Sequence, residues 1–399
     1  MISMHPADEI LGAKSDKLSK KRIILGVTGS IAAVECIKLS RELIRHGAEV
    51  FPVMTSSATK IIHPDALWFA TGNKPIIELT GDAEHVSYCG QVREPADLVL
   101  ISPCTANTVS KIAHGIDDTP VTTFATTAIG SNIPMLIVPA MHLSMYKHKI
   151  VQNNIKICKQ VGIKFIEPNV VGNKAKLANT EEIVAYALRE AGNKDLENKK
   201  ILIIGGATAE PIDDLRVITN RSSGKTAVNL AKNAFFRGAD VELWYGFSKE
   251  PIPEYIDTLR FESIKDLFKL TKKFKKYNII IVCAAISNYI LDKKKGKISS
   301  KKDKLVLELN PAPKLISELR KKYPESKIIG FKAEEDVDEL CEKAFDLLKK
   351  NKLDLMVANT ISGFNSDENE IWILDKKGKK LHNKGKKENL ADYILSSIK

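Results

Sequence analysis

Short apolar runs alternate with stretches of helical period along most of this chain, and the alternation starts over at residue 201. In the first half the runs are RIILGVT (22–28), EVFPVM (49–54), ADLVLIS (96–102) and IPMLIVP (133–139). A strand that is apolar along its whole length, instead of at every second residue, has both faces covered, as in a parallel sheet between helical layers. Helices are expected over 31–47, closed by Gly47, and over 180–192, opened by Thr180. After the polar stretch GNKDLENKK (192–200) the series restarts with ILIIGG (201–206) and continues with DVELWYG (240–246), NIIIVCAA (278–285), SKIIGFKA (326–333) and LDLMVAN (353–359). The pattern predicts an α/β protein of two consecutive doubly wound, mostly parallel-sheet domains. Their expected limits are 21–193 and 194–399, with residues 1–20 as a flexible N-terminal tail.

Composition excludes several classes. No apolar run approaches the roughly 20 residues that span a bilayer, and the N-terminal stretch lacks the apolar core of a signal peptide, so a cytoplasmic location is expected. Cys36, Cys89, Cys104, Cys158, Cys283 and Cys341 form no C-x-x-C pair, and the histidines show no ligand spacing, so neither a disulfide framework nor a transition-metal site is suggested. The net charge of +12 is uneven: an excess of ten basic residues sits in the second half. Its densest runs, 269–276, 292–304 and 375–387, lack the interleaved aromatics of a nucleic-acid stacking surface. Solvated lysine faces around a polyanionic small-molecule site are the favoured reading, with nucleic-acid binding kept as the alternative.

In GVTGSIAAVE (26–35) a strand runs into a glycine turn and then a helix whose free amides can hold a phosphate. The second strand ends in Met54-Thr55-Ser56-Ser57, without the acid that grips an adenosine ribose, so a mononucleotide phosphate suits the site better than a dinucleotide. SPCTANT (102–108), PAMHLSMY (139–146) and the loop around Glu84-His85-Val86 fall where open α/β sheets bind ligands. Each of these segments can equally be turn chemistry.

Taken together, these motifs resemble the homo-oligomeric flavin-containing cysteine decarboxylases over about 22–191. The resemblance implies a flavodoxin-like or Rossmann-like domain that binds FMN. Gly29, Ser30, Ile31, Thr55 and Ser56 would lie near the flavin phosphate, and Ser102, Thr105 and Asn107 near the ring. It implies His85 as the active-site histidine, with His142 and Met145 against the substrate. The cysteine carboxylate sits on a carbon without an electron sink. Oxidation of the thiol side to a thioaldehyde would supply one, and the enethiolate left by carbon dioxide would then be reduced. Two positions depart from the family pattern. His142 stands where the family has an asparagine in P-A-M-N, and the segment EPNVVGNKAKLAN (167–179) lacks the flap cysteine that protonates the enethiolate. Lys174, Lys176 or Cys104 could donate that proton instead, or the enethiol could be released.

The second half carries IIGGATAEPID (203–213) and VITNRSSGKTA (217–227), a glycine turn and a hydroxyl-rich loop that suit an anionic phosphate without forming a Walker loop. With CAAISNY (283–289), GKISS (296–300), NPAPKLI (310–316), IGFKAEE (329–335) and ANTISGFNSDENE (358–370), the order resembles phosphopantothenate–cysteine ligases over about 199–398. A decarboxylase followed by a ligase is the order of the bifunctional prokaryotic family of coenzyme A biosynthesis, which uses CTP with Mg²⁺. The resemblance implies attack of the substrate carboxylate on the α-phosphate of CTP, then displacement of CMP by the cysteine amine. Asn220 would handle the acyl cytidylate and Lys297 would promote its formation. Gly205, Gly206, Ser222, Ser223, Val282, Cys283, Ala284, Asn288, Pro311, Ala312, Pro313, Lys314 and Phe331 would meet the nucleotide. Lys349 and Lys350 are further candidates, and Asn288 replaces a family aspartate. The family assembles through trimeric decarboxylases and dimeric ligases into dodecamers. A decarboxylase for another cysteine-terminated substrate, with a domain that only binds nucleotide, is the alternative.

Overall fold

The computed structural model describes residues 5–172, 174–273, 275–299, 304–363 and 366–398. The chain divides into two compact units, Met1–Lys194 and Asp195–Lys399.

The first unit is built on five parallel strands, β1 (Arg22–Val27), β2 (Glu49–Met54), β3 (Leu98–Cys104), β4 (Met135–Pro139) and β5 (Lys164–Phe165), in the order β2-β1-β3-β4-β5. Ile23, Ile24, Leu25, Leu98, Leu100 and Ile101 have no exposed surface, as strands covered on both faces require. The order reverses between β1 and β3, and open sheets of this kind bind ligands beyond the strand C-termini at that point. The helix expected over 31–47 is two elements, a 3₁₀ turn Ile31–Glu35 and the α-helix Cys36–Arg45. The α-helix buries Cys36, Leu39, Ser40, Leu43 and Ile44, one stripe at helical spacing. The last long helix, Thr180–Ala191, is opened by the side chain of Asn179, which accepts from Glu182 N at 2.8 Å, and not by Thr180.

Residues 5–20 are not the loose tail expected from their polarity. The N–H groups of Gly12, Lys14 and Leu18 donate to the carbonyls of Ile44, Arg45 and His46 at 3.0, 2.8 and 2.8 Å. These carbonyls lie at the end of the helix Cys36–Arg45, so the segment serves as its C-terminal cap, although Ile44 O also accepts from Gly47 N at 2.8 Å. Leu18 is completely buried and Ala7 nearly so. Gly47, at φ +96°, admits this approach, since a Cβ there would lie 2.9 Å from Ser19 N.

The main sheet of the second unit has eight strands among the described residues, β6 (Lys200–Gly205), β7 (Asp240–Tyr245), β8 (Asp257–Arg260), β9 (Ile279–Val282), β10 (Lys327–Glu334), β11 (Leu355–Thr360), β12 (Glu368–Asp375) and β13 (Lys380–Lys386). Their order is β8-β7-β6-β9-β10-β11-β12-β13, the first six parallel and the last two antiparallel. The first six follow the doubly wound dinucleotide-fold order, with the reversal between β6 and β9. Sequence reading missed β8, β12 and β13. The lysine run 375–387 holds the edge strand β13, whose alternating exposure is that of a strand with one covered face. Lysines on such an edge discourage pairing with another chain.

Candidate functional site

In the first unit three strands end in short helical starts, each capped by a hydroxyl. Ser30 accepts from Ala32 N at 3.4 Å after β1, Thr55 from Ala58 N at 3.2 Å after β2, and Thr105 from Thr108 N at 3.4 Å after β3. Thr28 ties two of these turns together, donating to Pro103 O at 2.8 Å and accepting from Thr105 N at 3.1 Å. A Cβ at Gly29 would lie 2.5 Å from Ser57 Cβ, so only glycine lets the first turn close on the second. The structure thus brings together Gly29, Ser30, Thr55, Ser56, Ser102 and Thr105. Ile31, 78% exposed, and Asn107 face outward beside them. Ser102 lies within β3 and not in a loop, fully buried, and its Oγ has no partner among the described residues. Such an orphan hydroxyl is costly to bury unless something outside the chain completes it.

His85 lies on a six-residue helix, Glu84–Cys89, where a loop was expected. Glu84 anchors the start of that helix by accepting from Thr80 N at 3.1 Å and Thr80 Oγ1 at 2.6 Å, which holds its carboxyl below the usual range. His85 Nδ1 is buried and has no partner among the described residues. His142 is exposed and caps the short helix Leu143–Tyr146, its Nδ1 accepting from Ser144 N at 3.4 Å. In the neutral ring that acceptor role leaves the proton on Nε2, a donor like the asparagine amide it replaces. Met145 is 48% exposed on the same turn.

The segment 167–179 returns as a hairpin, Asn169–Val171 with Lys174–Lys176, and adds to Met141–His142 with His142 opposite Lys174 and Met141 opposite Ala175. A flap therefore does lie against the P-A-M-H turn, anchored at its start by the hydrogen bond from Tyr146 Oη to Glu167. Lys176 is exposed on it, and the side chain of Lys174 lies outside the described set. Cys104 does not fit the role of proton donor. Its side chain lies in the apolar core with Val109, Ile137 and Cys158, and burial pushes its thiol far above the usual range.

In the second unit a cavity of about 930 Å³ opens at the C-terminal ends of the strands. Its lining includes Gly206, Asn220, Ser222, Ser223, Val282, Cys283, Ala284, Asn288, Pro313, Lys314, Phe331 and Lys350. Gly206, at φ +77°, turns the chain where a Cβ would strike the backbone of Gly246. Gly205 is a packing residue outside the lining, since a Cβ there would meet Ala227 Cβ at 2.0 Å. Pro311 and Ala312 also stand outside it, in and beside the short strand Asn310–Pro311 that pairs with Tyr289–Ile290. Lys349 is directed elsewhere, its ammonium over the Phe345 ring at 4.1 Å. Asn220 Nδ2 donates to Ala285 O at 3.0 Å, fixing the amide at the cavity rim. Asn288 still serves a cation without the family's charge: its Oδ1 accepts from Lys314 Nζ at 2.7 Å.

Lys297 is exposed and not part of the lining. Its flanks are held by acids at and just after the end of the first motif, Gly296 N donating to Asp214 at 2.8 Å and Ile298 N to Asp213 at 3.1 Å. Sequence reasoning missed Arg221, Lys332, Asn359, Asn369 and Lys387, all in the lining. Asn359 sits within the quoted A-N motif and could have been found there; Lys387 was hidden in a lysine run. No Asp or Glu is among the described lining residues, and no group of three metal-ligating side chains occurs among the described residues. No described helix is long and apolar enough to cross a membrane.

Two α/β units, each with a candidate site at its strand ends, one built from capped turns and one a cationic cavity, define a two-domain α/β architecture. Residues 11–192 match the family model Flavoprotein, and residues 196–399 match the DNA/pantothenate metabolism flavoprotein C-terminal domain. The chain is 46% identical to the coenzyme A biosynthesis bifunctional protein CoaBC of Thermococcus kodakarensis, covering 99% of both chains. It is 40% identical to the protein of that name from Methanocaldococcus jannaschii, covering 100% of this chain and 99% of the other. The crystal structure of the DNA/pantothenate metabolism flavoprotein from Streptococcus pneumoniae is 28% identical with a TM-score of 0.45, over 50% of this chain and 98% of that one. The chain belongs to the CoaBC family of bifunctional coenzyme A biosynthesis proteins.

Proposed function

We propose that this chain joins 4'-phosphopantothenate to cysteine at the second-unit cavity, using CTP, and decarboxylates the product to 4'-phosphopantetheine at the first-unit site. Full-length similarity to the CoaBC relatives carries the reading, supported by a carboxylate-free cavity lining rich in lysine.

At the cavity, the phosphopantothenate carboxylate attacks the α-phosphate of CTP and pyrophosphate leaves; the cysteine amine then displaces CMP. Asn220, fixed by Ala285 O, is placed to hold the acyl cytidylate. Lys297, on a loop pinned on both sides by Asp213 and Asp214, offsets charge that develops on the phosphate oxygens. Mg²⁺ is proposed to enter with the triphosphate, because the described lining has no carboxylate to keep it.

The first unit suits FMN by its own geometry: the turn of Gly29 closes on Ser57, and the buried Ser102 hydroxyl has no partner among the described residues. Gly29, Ser30, Ile31, Thr55 and Ser56 would hold the phosphate end, and Ser102, Thr105 and Asn107 the ring. When bound, the flavin supplies a two-electron oxidation of the thiol carbon and its reversal after carbon dioxide leaves. His85 accepts a substrate proton. His142, through Nε2–H, orients the departing carboxylate, with Met145 against the substrate chain. The flap carries the proton donor for the enethiolate, Lys176 or its neighbour Lys174. Exposed Ile31, Val34, Trp68 and Phe69 on the same unit support assembly of decarboxylase units into a homo-oligomer, and a cytoplasmic location goes with the proposed pathway.

The reading is tested by the cofactor and the nucleotide product. Heat-denatured protein is expected to release FMN, and reaction mixtures with CTP to yield CMP. Absence of flavin, or CMP formation that does not depend on phosphopantothenate, overturns it.

A further inference from the structure

Lys387 is a lysine with only 6% of its surface exposed, and its ammonium has no hydrogen-bond or ion-pair partner among the described residues. It lines the second-unit cavity. Its backbone N–H donates to Asp367 O at 2.8 Å, but the Asp367 carboxylate is taken by the ammonium of Lys225. Burial and the charge of Lys225 hold Lys387 below the usual lysine range. A methionine or leucine would fill this volume without the cost of a buried cation. An unpaired ammonium at a cavity wall, on a residue otherwise buried, therefore points to an anion brought by a ligand.

Two helices flank this part of the cavity, their starts offset along their common direction. Lys225–Phe236 starts after Gly224 and Lys387–Ser396 after Lys386, neither with a side-chain cap. They run side by side in one direction: Asn233 Nδ2 donates to Glu388 O at 3.3 Å, and Arg237 Nη1 to Asp392 O and Ser396 Oγ at 3.2 and 3.0 Å. Gly224, Lys225 and Thr226 line the cavity, so the start of the first helix opens toward it, whereas the second turns a side face to it through Lys387, Leu390, Ala391 and Ile394.

We propose that Lys387 binds the terminal phosphates of the nucleoside triphosphate, holding them against the start of the helix Lys225–Phe236. The inference rests on reading this cavity as the ligase's nucleotide site. Lys297 would serve the α-phosphate, while Lys387 keeps the pyrophosphate portion in place as it departs.

The test compares full-length wild type, Lys387→Met and Lys387→Arg for binding of CTP and of CMP, which lacks the terminal phosphates. Loss of a charged hydrogen-bond donor is expected to weaken CTP about tenfold or more in Lys387→Met. CMP affinity stays within about twofold on the same scale, and Lys387→Arg recovers most of the CTP loss. The arginine variant also answers the question should the methionine variant not fold. Equal CTP affinity in wild type and Lys387→Met, equal losses for CTP and CMP, or an effect confined to the KM for phosphopantothenate overturns the proposal. If wild type itself yields no CMP, the ligase reading fails separately. Inorganic triphosphate then serves as the probe, and thermal stabilisation of wild type but not Lys387→Met sustains the phosphate role, whereas equal shifts end it.

Discussion

The backbone N–H of Ile298 donates to the Asp213 carboxylate at 3.1 Å, and that bond fixes one flank of Lys297. The same carboxylate accepts from Leu215 N and Arg216 N, both at 2.8 Å, so one buried acid organises two loops. Asp213→Ala is expected to lower the kcat for CMP release by about 10- to 100-fold, the order expected when a reacting group is displaced by an ångström, while decarboxylation of supplied phosphopantothenoylcysteine is unchanged. The N–H donors hold the Asp213 carboxyl below its ordinary value of 3.8. A carboxyl depressed on folding contributes stability that is complete above its ordinary pKa and lost as pH falls through the folded value. The Asp213 contact should thus leave the ligase pH profile flat through neutrality and act only in strong acid, as a rate profile of wild type will show.

His85 and His142 separate by what they change. His85→Asn should cut carbon dioxide release by about 10²- to 10⁴-fold, the usual contribution of a positioned acid or base, with CMP release intact. His142→Ala should raise the KM for phosphopantothenoylcysteine about 10- to 100-fold, the effect of a lost hydrogen bond to a charged group. His142→Asn should remain within a few-fold of wild type, since the amide also offers a donor. A matched loss in His142→Asn and His142→Ala would show that imidazole chemistry, and not donation, is required.

Leu18 tests the packed N-terminal segment. Leu18→Ala should destabilise the first unit by roughly 2–5 kcal/mol, the usual range for a buried leucine, measured by urea unfolding. A mobile tail would tolerate the change without loss.

What could be read from the sequence was whatever depends on local pattern. The all-apolar runs from Ile23 to Val27 and from Ile201 to Gly205 mark strands because a parallel sheet hides both their faces. The strand-end motifs mark the sites because doubly wound sheets place ligands there. Relations between distant residues were not legible. Residues 5–20 look polar and loose, yet they cap a helix whose carbonyls lie some thirty positions away. Cys104 reads as one of a loop's reactive groups, but β3 continues through it and turns it into the core. Lys387 sits in a run of solvent-facing lysines, and only the pairing of β13 with β12 and the start of the last helix show it to be buried.

The central claim is tested most directly by mass spectrometry of the products formed by the purified protein from 4'-phosphopantothenate, cysteine, CTP and Mg²⁺. The account predicts saturated 4'-phosphopantetheine, carbon dioxide and CMP, in equal amounts. Phosphopantothenoylcysteine or its enethiol as the end product, with no phosphopantetheine, would contradict the decarboxylase half, and absence of CMP would contradict the ligase half.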